Sequence, residues 1–92
     1  MKGKTVFRKY PDGEIIALFP QISASIGGYA CASYMHVGQH GAANTDMVVR
    51  ATTLATPTEY AELLLELERI GYNPTVSSRC TRKDFEIRHK QF

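Results

Sequence analysis

The chain of 92 residues has no tryptophan, only two cysteines and no large excess of either charge. Cys31 and Cys80 are too few for a disulfide scaffold. With no CxxC pair, they also do not make a zinc site, whose ligands sit at short spacing. No apolar run approaches the roughly 18 residues of a membrane-spanning helix. Met1-Lys2-Gly3-Lys4 leads into a charged segment rather than an apolar core, so no signal peptide is expected. The two thiols are therefore read as reduced, in a cytoplasmic setting. Neither the nucleophile elbow of hydrolases nor the glycine-rich phosphate loop of nucleotidases is present.

Eleven basic residues face nine acidic ones, for a net charge of +2. Residues 1–80 are balanced: Lys2, Lys4, Arg8, Lys9, Arg50, Arg69 and Arg79 against Asp12, Glu14, Asp46, Glu59, Glu62, Glu66 and Glu68. The excess lies in residues 81–92, where Arg82, Lys83, Arg88 and Lys90 outnumber Asp84 and Glu86. A neutral body argues against broad duplex-DNA binding, which needs many bases aimed at phosphates. Hydrophobic residues make up 43% of the chain, enough for one folded domain.

Thr5–Tyr10 has strand composition, and Pro11-Asp12-Gly13 is a turn: proline presets φ, aspartate tolerates the next position and glycine supplies positive φ. Glu14–Phe19 is the returning strand, ended by Pro20. Gln21–Gly28 reads as a small-residue loop closing in Gly27-Gly28. Tyr29–Val37 alternates, with Cys31, Ser33, Met35 and Val37 facing the core. Ala30, Ala32, Tyr34 and His36 then face the other way. From Gly38 to Ala55 no pattern persists, beyond a short strand expected at Met47–Arg50.

Thr56-Pro57-Thr58-Glu59 is a capping box with proline at the first helical position. The helix it opens runs to about Ile70, with Tyr60, Leu63, Leu64, Leu67 and Ile70 as its apolar stripe. Glu59, Glu62, Glu66 and Arg69 lie on its other side, and Leu65 falls off the stripe. Gly71 is the left-handed cap and Asn73-Pro74 prevents continuation. Thr75–Cys80 is a further strand, and Asp84–Arg88 alternates as an edge strand would. The fold expected is α+β: a small, mainly antiparallel β-sheet, made of a β-hairpin and further strands, with one amphipathic α-helix packed on one face. Residues 1–80 form the single α+β domain, and residues 81–92 a basic C-terminal tail or edge strand. The second sheet face is left to solvent, a ligand or a partner.

Chemistry concentrates in Ser33-Tyr34-Met35-His36-Val37-Gly38-Gln39-His40-Gly41. Tyrosine and histidine offer flat faces for stacking, glutamine a bidentate edge, and glycines a close backbone approach. The candidate ligand-binding residues are Ser33, Tyr34, His36, Gln39 and His40, with Arg8 and Arg79 as anion anchors. A metal reading would join His36, His40 and Asp46, but Gly38 and Gly41 oppose the helix that would bring two histidines together. A nucleophile reading would pair Ser33 or Cys31 with His36, yet Cys31 and His36 point to opposite strand faces. No catalytic residue, metal or cofactor is assigned.

The chain resembles a family of short uncharacterised proteins of bacteriophages, prophages and other mobile elements. The residues that carry the resemblance are Phe7-Arg8-Lys9 with Asp12–Pro20, then Ser33–Gly41, then Ala55–Ala61 continuing to Ile70–Asn73. The resemblance implies a phage-type accessory protein in the cytoplasm of a bacterial host cell. Such a protein would be a small non-enzymatic binding protein and a homo-oligomer. It would inhibit host defence by binding a nucleotide-like signal or a defence complex of CRISPR type. The alternatives are a small metal-dependent or histidine-based hydrolase using His36, His40 and Asp46, and a structural protein-interaction module.

Overall fold

The computed structural model describes residues 2–24, 30–36 and 39–90. Their order is β1 (Lys2–Lys9), β2 (Ile15–Ser23), β3 (Ala30–Met35), β4 (Gln39–Asn44), α1 (Thr45–Ala51), β5 (Thr53–Leu54), α2 (Pro57–Arg69), β6 (Asn73–Ser77) and α3 (Arg82–His89). The expected α+β class holds. Strands β4, β3, β2 and β1 run side by side and antiparallel. On the outer side of β1, β5 pairs antiparallel near Arg8 and β6 pairs parallel from Lys2 to Val6.

The hairpin forms as its turn chemistry requires. Gly13 takes φ 94°, the Gly13 N–H donates to Tyr10 O at 2.9 Å, and Asp12 Oδ1 accepts from the Glu14 N–H at 3.0 Å. Pro20 does not end β2, contrary to expectation. The strand continues to Ser23, and the register to β3 shifts between Phe19 and Ser23. A proline has no N–H for a ladder, so the strand carries it where the pairing is irregular.

Helix α2 starts on the expected capping box, with Thr56 Oγ1 accepting from the Glu59 N–H and Glu59 accepting from the Thr56 N–H. It ends in a Schellman motif: Gly71 takes φ 103°, its N–H donates to Glu68 O, and the Tyr72 N–H donates to Leu67 O at 3.0 Å. Leu63 and Leu67 are buried over Phe7, Ala17, Phe19 and Tyr34, with Tyr60 stacked on Phe7 at 4.4 Å between ring centres. Ile70, expected in the stripe, is exposed because the helix has already turned away at its cap. Leu65 is exposed as expected.

The rest of the chain differs from expectation at four places. Met47–Arg50 is part of α1, not a strand. Asn44 caps it by accepting from the Met47 N–H at 3.1 Å, and Gln39–Asn44, which showed no pattern, is β4. The final strand is Asn73–Ser77, short of Cys80, and it runs parallel to β1. Residues 82–89 are a helix and not an edge strand: Thr81 and Asp84 form a capping box that opens α3. Helix α3 also overturns the expectation of an uncovered second face. Asp84 takes a hydrogen bond from Lys4 Nζ at 2.6 Å and another from Gln21, and Arg88 donates to Pro20 O. A second core of Val6, Ile16, Leu18, Cys31 and Ala43 forms on that face, with Val48 of α1 and Cys80 packed against it. Helices therefore lie on both faces of the sheet.

Candidate functional site

The alternation expected over Tyr29–Val37 holds across β3, Tyr29 and Val37 lying outside the described residues, but both faces of the strand are interior. Tyr34 is 1% exposed, among Phe7, Phe19, Leu63 and Leu67 beneath α2. Tyr34 therefore does not offer a ligand the stacking face expected of it, because the apolar stripe of α2 settles on the very face to which the alternation assigns it. Its hydroxyl donates to the Glu66 carboxylate. The other Glu66 oxygen lies 2.9 Å from His36 Nδ1. A carboxylate only accepts, so this bond places a proton on Nδ1 and turns the far edge of the ring outward. The His36 side chain is 79% exposed. His40, opposite Tyr34 across the ladder, meets its ring edge-on at 4.7 Å, and Tyr72 Oη lies 3.5 Å from His40 Nδ1.

Beside this group lies a cleft of about 320 Å³ between the hairpin end, the start of β4 and the first half of α2. Ile15, Met35 and Leu63 give it an apolar floor, His36 and Gln39 stand at one side, and Glu14, Glu59 and Glu62 supply three carboxylates. Glu59 is bound by Lys9 Nζ and the Thr56 N–H, which hold its carboxyl below the usual glutamate range. Glu14 and Glu62 make no ion pair among the described residues. The cleft is thus acidic, with an imidazole on its rim.

The seven residues expected to form one site do not converge. His36 and Gln39 line the cleft, while Tyr34 and His40 lie behind it. Ser33 is buried on the opposite sheet face, where it borders a groove beside Met35 and Val48. Arg8 is also on that face and is engaged with the C-terminal end of α1. Its Nε donates to Thr52 Oγ1 at 2.9 Å, and its Nη2 donates to Val49 O at 3.0 Å and Thr52 O at 2.7 Å. Those carbonyls end a helix and need a cation, so Arg8 is a cap rather than a ready anion anchor. Arg79 is exposed and shares a cleft of about 210 Å³ with Arg8 and Val49. The expected Gly27-Gly28 closure and Val37-Gly38 lie outside the described residues.

The hydrolase residues are also dispersed. Asp46 lines a different cleft with Thr81 and Arg82. Among the described residues no group of three histidine, cysteine, aspartate or glutamate side chains is placed to hold a metal ion. Cys31 is buried, and burial raises its thiol above the ordinary value. Burial and the neighbouring Cys31 push Cys80 up to about 11, so both remain protonated thiols at neutral pH. No described helix is long and apolar enough to cross a membrane.

The carboxylates are the residues that sequence reading missed. The sequence places Glu59, Glu62 and Glu66 only on the side of the helix away from its stripe. The signal was their spacing: steps of three and four put them in one row along the border of the stripe formed by Leu63 and Leu67. On that border Glu59 and Glu66 are half-buried against the rim of the sheet, while Glu62 stays exposed. No protein-family model, curated protein or solved structure matches this chain.

Proposed function

We propose that this protein is a non-enzymatic binding protein of phage or mobile-element type. It acts in the cytoplasm of the host cell and blocks a host-defence complex of CRISPR type by holding a cationic side chain of that complex in the acidic cleft. The observation that carries this reading is the convergence of Glu14, Glu59 and Glu62 over the apolar floor of Ile15, Met35 and Leu63. A lysine or arginine fits such a site twice over, with its aliphatic stem on the apolar floor and its charge on the carboxylates. A nucleotide signal is the less favoured target, since the carboxylates of Glu14 and Glu62, which Lys9 does not neutralise, repel phosphate at close range.

His36 has a separate part. Glu66, itself held by Tyr34, orients its ring at the rim, so it offers a partner a polar edge. The hydrolase alternative would use this same imidazole as an acid–base group.

The test is phage plating on bacteria that carry a CRISPR-type defence and express the protein. Expression should restore plaque formation, and Glu62→Lys with Glu14→Lys should abolish the effect while leaving the circular dichroism spectrum unchanged. If plating stays restricted across the defence systems tried, the host-defence role is wrong. If the double variant inhibits as well as wild type, the cleft is not the site.

A further inference from the structure

We infer that the free edge of β4 is a self-association surface, on which a second copy of this chain pairs antiparallel to form one continuous sheet across a two-fold axis. Strand β4 ends the sheet, and its outer edge pairs with no strand among the described residues. Sheet edges in monomers are normally blunted by lysine, proline, a bulge or extreme shortness. The opposite side of the sheet follows that pattern: β5 is two residues long and β6 carries Pro74. Strand β4 has none of these devices. It is six residues, Gln39-His40-Gly41-Ala42-Ala43-Asn44, with no charge, no proline and an unbroken register to β3.

Its composition points to a second copy rather than a foreign strand. An edge built for a foreign partner gains specificity from a charge that the partner complements. An edge that meets itself must avoid charge, because each ionised residue would face its own kind near the axis. A two-fold normal to the sheet keeps every side chain on its own face. Ala42 can then oppose Ala42 with His40 opposite Asn44, or Gly41 oppose Gly41 with Gln39 opposite Ala43. Small residues lie at the axis in both registers. A two-fold interface also needs a projection and a recess on the same patch. Beside β4, on the face that carries α1, lies a groove of about 410 Å³ floored by Ile16 and Val48. Met47 stands at its border and is 68% exposed.

Sedimentation velocity of the full chain tests this. Wild type should sediment as a dimer that dissociates on dilution. Ala42→Lys, which places two ammonium groups near the axis, should weaken the dimer about tenfold or more with an unchanged circular dichroism spectrum. Hydrogen exchange on wild type, above and below the dissociation range, provides a readout that needs no variant: β4 amides should gain protection on dimerisation and β6 amides should not. A wild-type chain that stays monomeric at millimolar concentration leaves the edge to a foreign strand and overturns the proposal. So does a dimer in which β4 exchange is unaltered, or one that Ala42→Lys leaves intact.

Discussion

At the scale of single residues, the chemistry of this protein turns on Glu66, whose two oxygens hold one buried and one exposed partner. The two bonds should differ in worth. Tyr34→Phe keeps the ring packing but leaves a carboxylate oxygen without its buried donor. It should lower the unfolding free energy by about 1.5 kcal/mol, measured by urea denaturation. His36→Ala removes a solvated partner and should cost no more than about 0.5 kcal/mol. Such a variant is therefore a clean probe of binding, whereas Tyr34→Ala would open the core. The sequence made Tyr34 and His36 visible as chemistry but not as different kinds of chemistry. Residues two apart share a strand face, and only the position of α2 along that face decides which one is covered.

A second residue, Asp84, ties stability to pH. Burial alone would raise its carboxyl, but Lys4, the Thr81 N–H and Gln21 together hold it below the usual aspartate range. A folded-state value below the unfolded one means stabilisation that is fully present above about pH 4 and lost as pH falls through the folded-state value. The melting temperature of wild type should therefore drop through that acid range. Asp84→Asn should start lower at neutral pH and show a shallower acid limb.

At the scale of elements, the two capping boxes are the clearest local instructions in the chain, yet only the first was readable. Thr56 precedes an apolar stripe, so cap and periodicity agree. Thr81 precedes a helix whose buried residues are Asp84 and Arg88, an i, i+4 pair of charges facing the sheet. With no apolar stripe to follow, Asp84-Phe85-Glu86-Ile87-Arg88 imitates a strand. Helix α1 misleads in another way, because Val48 and Val49 carry strand propensity. Thr81→Ala should cost about 1 kcal/mol in thermal or urea unfolding, as a lost N-cap does. At the other end of α2, Gly71→Ala forces a side chain to φ 103° and should cost about 1 kcal/mol. Gly3→Ala, with open space around the added methyl and ordinary backbone, should be near neutral.

At the scale of the whole molecule, a sheet with helices on both faces leaves its edges and the clefts at its rim for partners. Removing residues 81–92 should uncover Pro20 and strand Lys4 without its carboxylate. The truncated chain should bind a hydrophobic dye and aggregate at concentrations where the full chain stays dispersed. If it stays as dispersed as the full chain and melts like wild type, the last helix is an accessory to the fold rather than part of it.

The sequence by itself determined the hairpin and its turn, the start and stop of α2, its apolar stripe, and the α+β class. Each is written in interactions between residues close in the chain: a cap reaches three positions, a stripe repeats every three or four, and a tight turn closes within four. Tertiary structure alone decided the parallel pairing of β6 with β1, the covering of the second face and the making of the acidic cleft. Those depend on distant partners, such as Lys4 with Asp84, Pro20 with Arg88 and His36 with Glu66. A polar side chain is neutral information along the chain until the fold supplies the group that satisfies it.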